Sequence, residues 1–218
     1  MKRTLRRVSW LAVAAMIFAV PGAPGTRERS DEIVFVRGVP STIWVMRADG
    51  THQRLVTSAH SPDSPAWSRD HRWIAFVRPD YTRRPVASDI WLVRPDGSGE
   101  HQFTHTYPAQ AEFPSWSPDG SRIAFDRLGV GIWVAKLDGS GSRAITKQAD
   151  SDDYHPAWSA DGKHIAFVRQ FRTRPGAIYV VDANGGSARR LIKPPKRSDT
   201  TSDRPGRPTA RGSRSSAT

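Results

Sequence analysis

Carboxylates stand ahead of a recurring Pro-x-Trp sequence at three places: Asp63 before Pro65, Glu112 before Pro114, and Asp152 with Asp153 before Pro156. Gathered on loops at one end of a repeated fold, such groups could hold a cation or a basic partner. Set in turns, they would instead accept hydrogen bonds from nearby backbone amides. Seven histidines (His52, His60, His71, His101, His105, His155 and His164) fall at positions that differ from one part of the chain to the next. His101 and His105 have the even spacing that puts two imidazoles on one strand face, but no carboxylate cluster accompanies them to complete a metal site. Cysteine is absent, which excludes disulfides, thiolate zinc sites and cysteine nucleophiles. No Gly-x-Ser-x-Gly elbow is present for a hydrolase serine; Gly97-Ser-Gly99 and Gly139-Ser-Gly-Ser142 follow Asp-Gly hairpin turns. Neither a catalytic group nor a cofactor or metal is therefore expected.

Aromatic and guanidinium groups offer recognition instead. Eight tryptophans invite a sugar-stacking reading. Six of them (Trp44, Trp91 and Trp133, with Trp67, Trp116 and Trp158) occupy repeated positions where packing between sheets accounts for them. Trp73 stands where the other units carry Arg122 and His164, and so is the tryptophan freest to make a contact. Two stretches, 79–88 and 170–176, lengthen the link between the second and third strands of their units, where the third unit has only Leu128-Gly-Val-Gly131. Each mixes arginine with an aromatic ring: Tyr81, Arg83 and Arg84 in one, Phe171, Arg172 and Arg174 in the other. Repeat scaffolds place recognition on such lengthened rim loops, and arginine and tyrosine are enriched among interface hot spots. Trp73 and these six residues form the expected partner-binding set.

The elements that position them come from a repeat. Residues 65–78, 114–127 and 156–169 align without gaps on Pro-x-Trp-Ser, Asp and Ile-Ala-Phe, with tryptophans 49 and 42 positions apart. A second set aligns at Ile43, Ile90, Ile132 and Ile178, each beginning an Ile-Trp/Tyr segment that runs into Asp-Gly or Asn-Gly. Short pieces follow at 53–57, 101–104, 143–146 and 189–192. Each unit thus predicts four short strands, with Asp-Gly turns supplying the positive φ of tight connections. Trp67, Trp116 and Trp158 serve as structural repeat residues, as do the turn pairs Asp119-Gly120 and Asp161-Gly162. Four-stranded units of this length fit the blades of a β-propeller, because a single sheet cannot bury both faces alone. The first unit starts at Asp31 without its Pro-x-Trp-Ser strand, so the count is three complete units plus three strands of a fourth. The ring could be completed by residues 24–30, or left as an open arc that closes by forming a homodimer.

On these residues the chain resembles the TolB-type (WD40-like, PD40) β-propeller repeat family, whose pattern Pro-x-Trp-Ser-Pro-Asp-Gly, Ile-Ala-Phe, Ile-Trp/Tyr-Val and Asp-Gly is met best by residues 114–125. The resemblance covers about 31–192. It implies an all-β propeller of about four four-stranded blades, and it occurs in periplasmic, cell-surface and peptidase-linked proteins, so it specifies fold more than function.

The ends have another character. Lys+Arg 33 against Asp+Glu 21 gives a net charge of +12, of which residues 1–23 carry +4 and residues 193–218 carry +5. The part between is nearly neutral, which argues against nucleic acid as partner. Residues 1–23 read as a signal peptide, with Lys2, Arg3, Arg6 and Arg7 before an apolar run from Val8 to Val20; an uncleaved membrane anchor is the alternative. Residues 24–30 form a linker, and 193–218 a disordered basic tail rich in Pro, Ser and Arg that could lie on an anionic wall polymer or membrane surface. The expected protein is an exported, non-enzymatic propeller, periplasmic, on the cell envelope or secreted, that binds envelope proteins. A polysaccharide or anionic-polymer module and a propeller hydrolase or lyase with an axial active site are the rivals.

Overall fold

A computed structural model describes residues 31–147, 150–173 and 175–191. The signal peptide, the linker and the tail read above lie outside the described residues, as does Arg174. Among the described residues there is no helix. Fifteen strands of these described residues form four antiparallel sheets in chain order. The first has three strands, β1 (Glu32–Arg37), β2 (Thr42–Arg47) and β3 (Arg54–Thr57). The second runs through β4 (Asp63–Trp67), β5 (Ile74–Asp80), β6 (Ala87–Val93) and β7 (His101–Gln102). The third contains β8 (Ala111–Trp116), β9 (Arg122–Arg127), β10 (Gly131–Lys136) and β11 (Arg143–Ala144). The fourth contains β12 (Ser151–Trp158), β13 (His164–Phe171), β14 (Ala177–Asp182) and β15 (Arg189–Arg190). The count of three full units plus three strands is the observed one.

The turn between the first two strands of each full sheet is built three times from the same atoms. The hydroxyls of Ser68, Ser117 and Ser159 donate to Asp70, Asp119 and Asp161 at 2.7, 2.6 and 2.6 Å. The same hydroxyl oxygens accept from the backbone N–H of Trp73, Arg122 and His164. These bonds hold the Asp119 carboxyl down at about 2, with the Ser117 hydroxyl and the Ser121 N–H as main donors. Gly120 and Gly162 supply the positive φ that this turn requires, and in the second sheet His71 adopts it instead (φ 55) while its ring stacks on Trp67.

Cores form between successive sheets. Ile43, Val45 and Val56 of the first meet Ile74, Phe76 and Val93 of the second. Ala75, Val77, Ile90, Leu92 and Phe103 then meet Ile123, Phe125 and Ala135 of the third, and Ala124, Ile132, Val134 and Ile145 meet Ile165, Phe167 and Val181 of the fourth. Period-two alternation makes this stacking work: Ile and Phe of each Ile-Ala-Phe face the preceding sheet, and Ala faces the following one. The leading strands β4, β8 and β12 stand side by side along the inside of the arc. They are tied by the Trp116 indole, which donates to Ala66 O at 3.1 Å, and by the Trp158 N–H, which donates to Ser115 Oγ. Among the described residues no buried core joins the first and fourth sheets, which leaves the four sheets as an open arc.

The repeated indoles are less hidden than packing alone would make them. Trp116 is buried, whereas Trp44, Trp67, Trp91, Trp133 and Trp158 are half-buried. One face of the third-strand ring carries an arginine in every sheet. Arg37 lies over Trp44 at 5.2 Å, Arg78 over Trp91 at 4.1 Å, Arg127 over Trp133 at 4.7 Å and Arg169 over Tyr179 at 4.7 Å. The arginine ends Phe-x-Arg and the aromatic is cross-strand partner to that Phe, so the pair meets on the diagonal.

Candidate functional site

The leading strand and the second strand of each sheet are antiparallel, which sets two separate groups of sequence candidates on one rim. Asp63 pairs with Val77, Glu112 with Asp126 and Asp153 with Arg169, so the acids before Pro-x-Trp lie beside the end of the second strand. The lengthened loops begin at that same end. Pro79 and Asp80 continue β5 and Ala87 and Ser88 begin β6, which leaves 81–86 as loop; Phe171 ends β13 and the second loop is 172–176. Trp73 immediately precedes β5 at the opposite end and does not join them. It is half-buried against the second–third core, with Arg94 over its ring at 4.8 Å and His101 against its edge.

Loop 81–86 is held by its own polar groups. Asp80 accepts from the Thr82 N–H at 3.0 Å and from Arg83 Nε at 2.8 Å, which holds its carboxyl below the ordinary range, the Thr82 hydroxyl contributing most. Arg84, although exposed, folds back on its own loop and donates to Tyr81 O and Arg83 O at 2.8 and 2.9 Å. Arg83 also lies 4.7 Å over the ring of Tyr107, whose hydroxyl donates to Arg84 O at 3.2 Å. Tyr107, from the link between the second and third sheets, was not among the sequence candidates and carries no repeat signal. In the other loop Arg172 is exposed and Phe171 packs edge-on to Tyr179.

Large apolar side chains are exposed on the same rim: Val39 in the β1–β2 loop, Tyr81, Tyr107, and Leu128 in the β9–β10 loop. With Arg83 and Arg172 they make a mixed apolar and cationic border, bounded on the inside by Asp63 and Asp152, both exposed.

A strained feature recurs where these acids sit. Ser64, Phe113 and His155 each precede a proline and each has positive φ (49°, 50° and 55°), at the register shift of the leading strand. Non-glycine residues rarely adopt that conformation, and a following proline restricts it further. In the second and third sheets the bulge directly follows the acid and re-aims it, whereas in the fourth Tyr154 stands at that position and Asp153 lies one residue earlier. In regular register ahead of that bulge Asp153 forms a buried pair, with Arg169 Nε and Nη2 donating to its two oxygens at 2.7 and 2.8 Å. In the third sheet Glu112 is instead set beside another carboxyl, Asp126, which occupies the slot of Val77 and Val168. Asp126 is 2% exposed, and its Oδ1 has no hydrogen-bonding partner within the protein. Burial, then the Glu112 charge, pushes its carboxyl up to about 8 against the help of the His155 N–H. Among the described residues no group of three or more His, Asp or Glu side chains is placed to hold a metal ion.

Residues 30–206 match the TolB beta propeller domain family, most of the chain's length. The chain belongs to the TolB β-propeller family. One stretch of 73 residues, 34% of the chain, is 32% identical to the Tol-Pal system protein TolB of Orientia tsutsugamushi and covers 16% of it. The solved TolB of Agrobacterium tumefaciens superposes with a TM-score of 0.64 at 23% identity, over 75% of this chain and 61% of that one. For TolB of Acinetobacter baumannii the values are 0.60, 24%, 75% and 42%. An oligogalacturonate lyase in complex with manganese shares the fold with a TM-score of 0.55 at 17% identity, over 75% of this chain and 50% of the lyase. This TolB-family chain thus spans less than two thirds of the TolB proteins it matches, and its likeness to the solved structures is a likeness of fold.

Proposed function

We propose that this TolB-like propeller is a non-enzymatic scaffold that is exported by its first 23 residues and holds a protein partner of the cell envelope on the rim carrying loops 81–86 and 172–176. The observation that supports this most is the convergence on one rim of exposed Val39, Tyr81, Tyr107 and Leu128 with Arg83 and Arg172. Such a mixture suits the core of a protein interface, where aromatic rings and guanidinium groups supply most of the binding free energy. Arg84 acts differently from Arg83, keeping the loop in shape through its own carbonyls, and Trp73 lies outside this surface. In the same reading, residues 193–218 add a salt-sensitive contact to anionic wall polymer or membrane surface.

Capture from envelope extract on the immobilised secreted form tests the proposal. A protein retained through a salt wash should be lost at least tenfold from the Tyr81→Ala, Arg83→Ala double variant, as expected for two hot-spot residues of about 1 kcal/mol or more each. Deleting 193–218 should leave that capture intact. Equal recovery on the double variant would place the partner elsewhere, and turnover of a polysaccharide panel would make the protein a hydrolase or lyase instead.

A further inference from the structure

The two ends of the arc expose the two halves of an interface that the chain builds three times internally. At each inner seam, the earlier sheet offers the face bearing Ala of Ile-Ala-Phe, and the later sheet offers the face bearing Ile, Phe and Trp. Register puts Ala166, Val168, Ile178 and Val180 on the outward face of the fourth sheet, with Leu191 following as Phe103 and Ile145 do in the second and third. Ile178 is 38% and Leu191 51% exposed, whereas Ile90, Ile132, Phe103 and Ile145 are buried at the inner seams. On the first sheet, Ile33, Phe35, Trp44, Met46 and Leu55 share the outward face. All are half-buried or, as with Leu55 at 48%, exposed, where Ile74, Phe76, Ile123 and Phe125 are fully covered.

We propose that the outward face of the fourth sheet binds the outward face of the first sheet of a second copy, head to tail. The repeat makes these faces complementary in shape class, small and β-branched side chains against large aromatic ones. Charge follows the same order. Arg37 sits at the loop end of the first sheet's outward face, and Asp152, cross-strand partner of Gln170, at the loop end of the fourth sheet's. Both are exposed, so a head-to-tail seam brings opposite charges level. The contact is heterologous, using two different patches rather than one twice. It goes beyond the rim reading, and the positions varied to test it lie outside that rim.

Two variants of the full chain test this, each with charge placed at already exposed positions so that folding is undisturbed. Leu55→Glu spoils the first-sheet face, and Ile178→Glu with Leu191→Glu spoils the fourth-sheet face. Sedimentation velocity of the unaltered chain should show concentration-dependent self-association. Each variant alone should sediment as a monomer with the unaltered circular-dichroism spectrum, and their equimolar mixture should form a one-to-one dimer through the one intact pair of faces. A monomeric unaltered chain at 100 micromolar (roughly tenfold above a Kd of about 10 micromolar, some 7 kcal/mol) overturns the proposal, the faces then being covered within one chain. Association that survives both variants, or a mixture that stays monomeric, overturns it as well.

Discussion

Replacing Asp126 by valine should make the protein more stable, most of all at alkaline pH. The aligned positions of the neighbouring sheets are Val77 and Val168, so the slot already accepts that shape. Asp126 faces the seam between the third and fourth sheets, paired across strands with Glu112 on one side and Ile132 on the other. With its carboxyl raised from 3.8 to about 8, the folded protein keeps a proton that the unfolded chain releases. The folded state therefore loses stability as pH rises from about 4 to about 8, by up to roughly 1.4 kcal/mol per pH unit, and the loss levels off above 8. Relaxation around the site reduces the ceiling, so we expect a net gain of about 2–3 kcal/mol from the valine at pH 8, including relief of the unpaired Oδ1. For a domain of this size that is a rise in Tm of roughly 5–10 °C. Thermal melts of both proteins at pH 5.5 and 8.5 measure it: the unaltered protein should fall between the two and the variant should change much less. A variant no more stable at pH 8.5 would mean that Asp126 finds partners when ionised.

The opposite outcome is expected one pair along in the fourth sheet, where Val168 fills the slot of Asp126 and the next residue is Arg169. Asp153 and Arg169 are both buried and joined by two short hydrogen bonds, and the guanidinium also covers the rings of Phe167 and Tyr179. Arg169→Ala leaves a carboxylate uncompensated in the seam and strips cover from two rings, which should cost about 3–5 kcal/mol. Asp153→Ala should cost a similar amount. Replacing both by leucine should cost much less than the sum, because the penalty comes from the charge left behind rather than from loss of the pair's attraction. Urea midpoints of the three variants decide this; additive losses would show that the residues act separately.

Two carboxylates before Pro-x-Trp, Glu112 and Asp153, therefore meet opposite fates, and the residue opposite decides which. That difference was visible in the aligned segments, where Ile-Ala-Phe-Asp replaces Ile-Ala-Phe-Val at one unit only. A single polar residue in an apolar column is a readable signal, although it says nothing of what lies across the seam. Strands, turns and their number were legible because the repeat states each of them three or four times, and each copy constrains the others. The sharing of one rim by acids and long loops was implicit in antiparallel pairing. Tyr107 was not legible: it comes from a link with no repeated counterpart, and its value lies in an arginine it meets across 24 positions of sequence. Nor was the folding of Arg84 back onto its own loop, which depends on carbonyl directions within a short turn. The positive φ before three prolines runs against local preference, and it is set by the bulge that the leading strand makes with its neighbour.

Closed propellers fix the separation of their rim loops, since tilting one seam would have to be undone at the others. Among the described residues no core joins the first and fourth sheets, and three seams run in series. Small rotations at each add up rather than cancel, so the span from Val39 through Tyr81 and Leu128 to Arg172 is adjustable. In the binding proposed for this rim, the compliance of three apolar joints would set how closely the loops follow the shape of their partner.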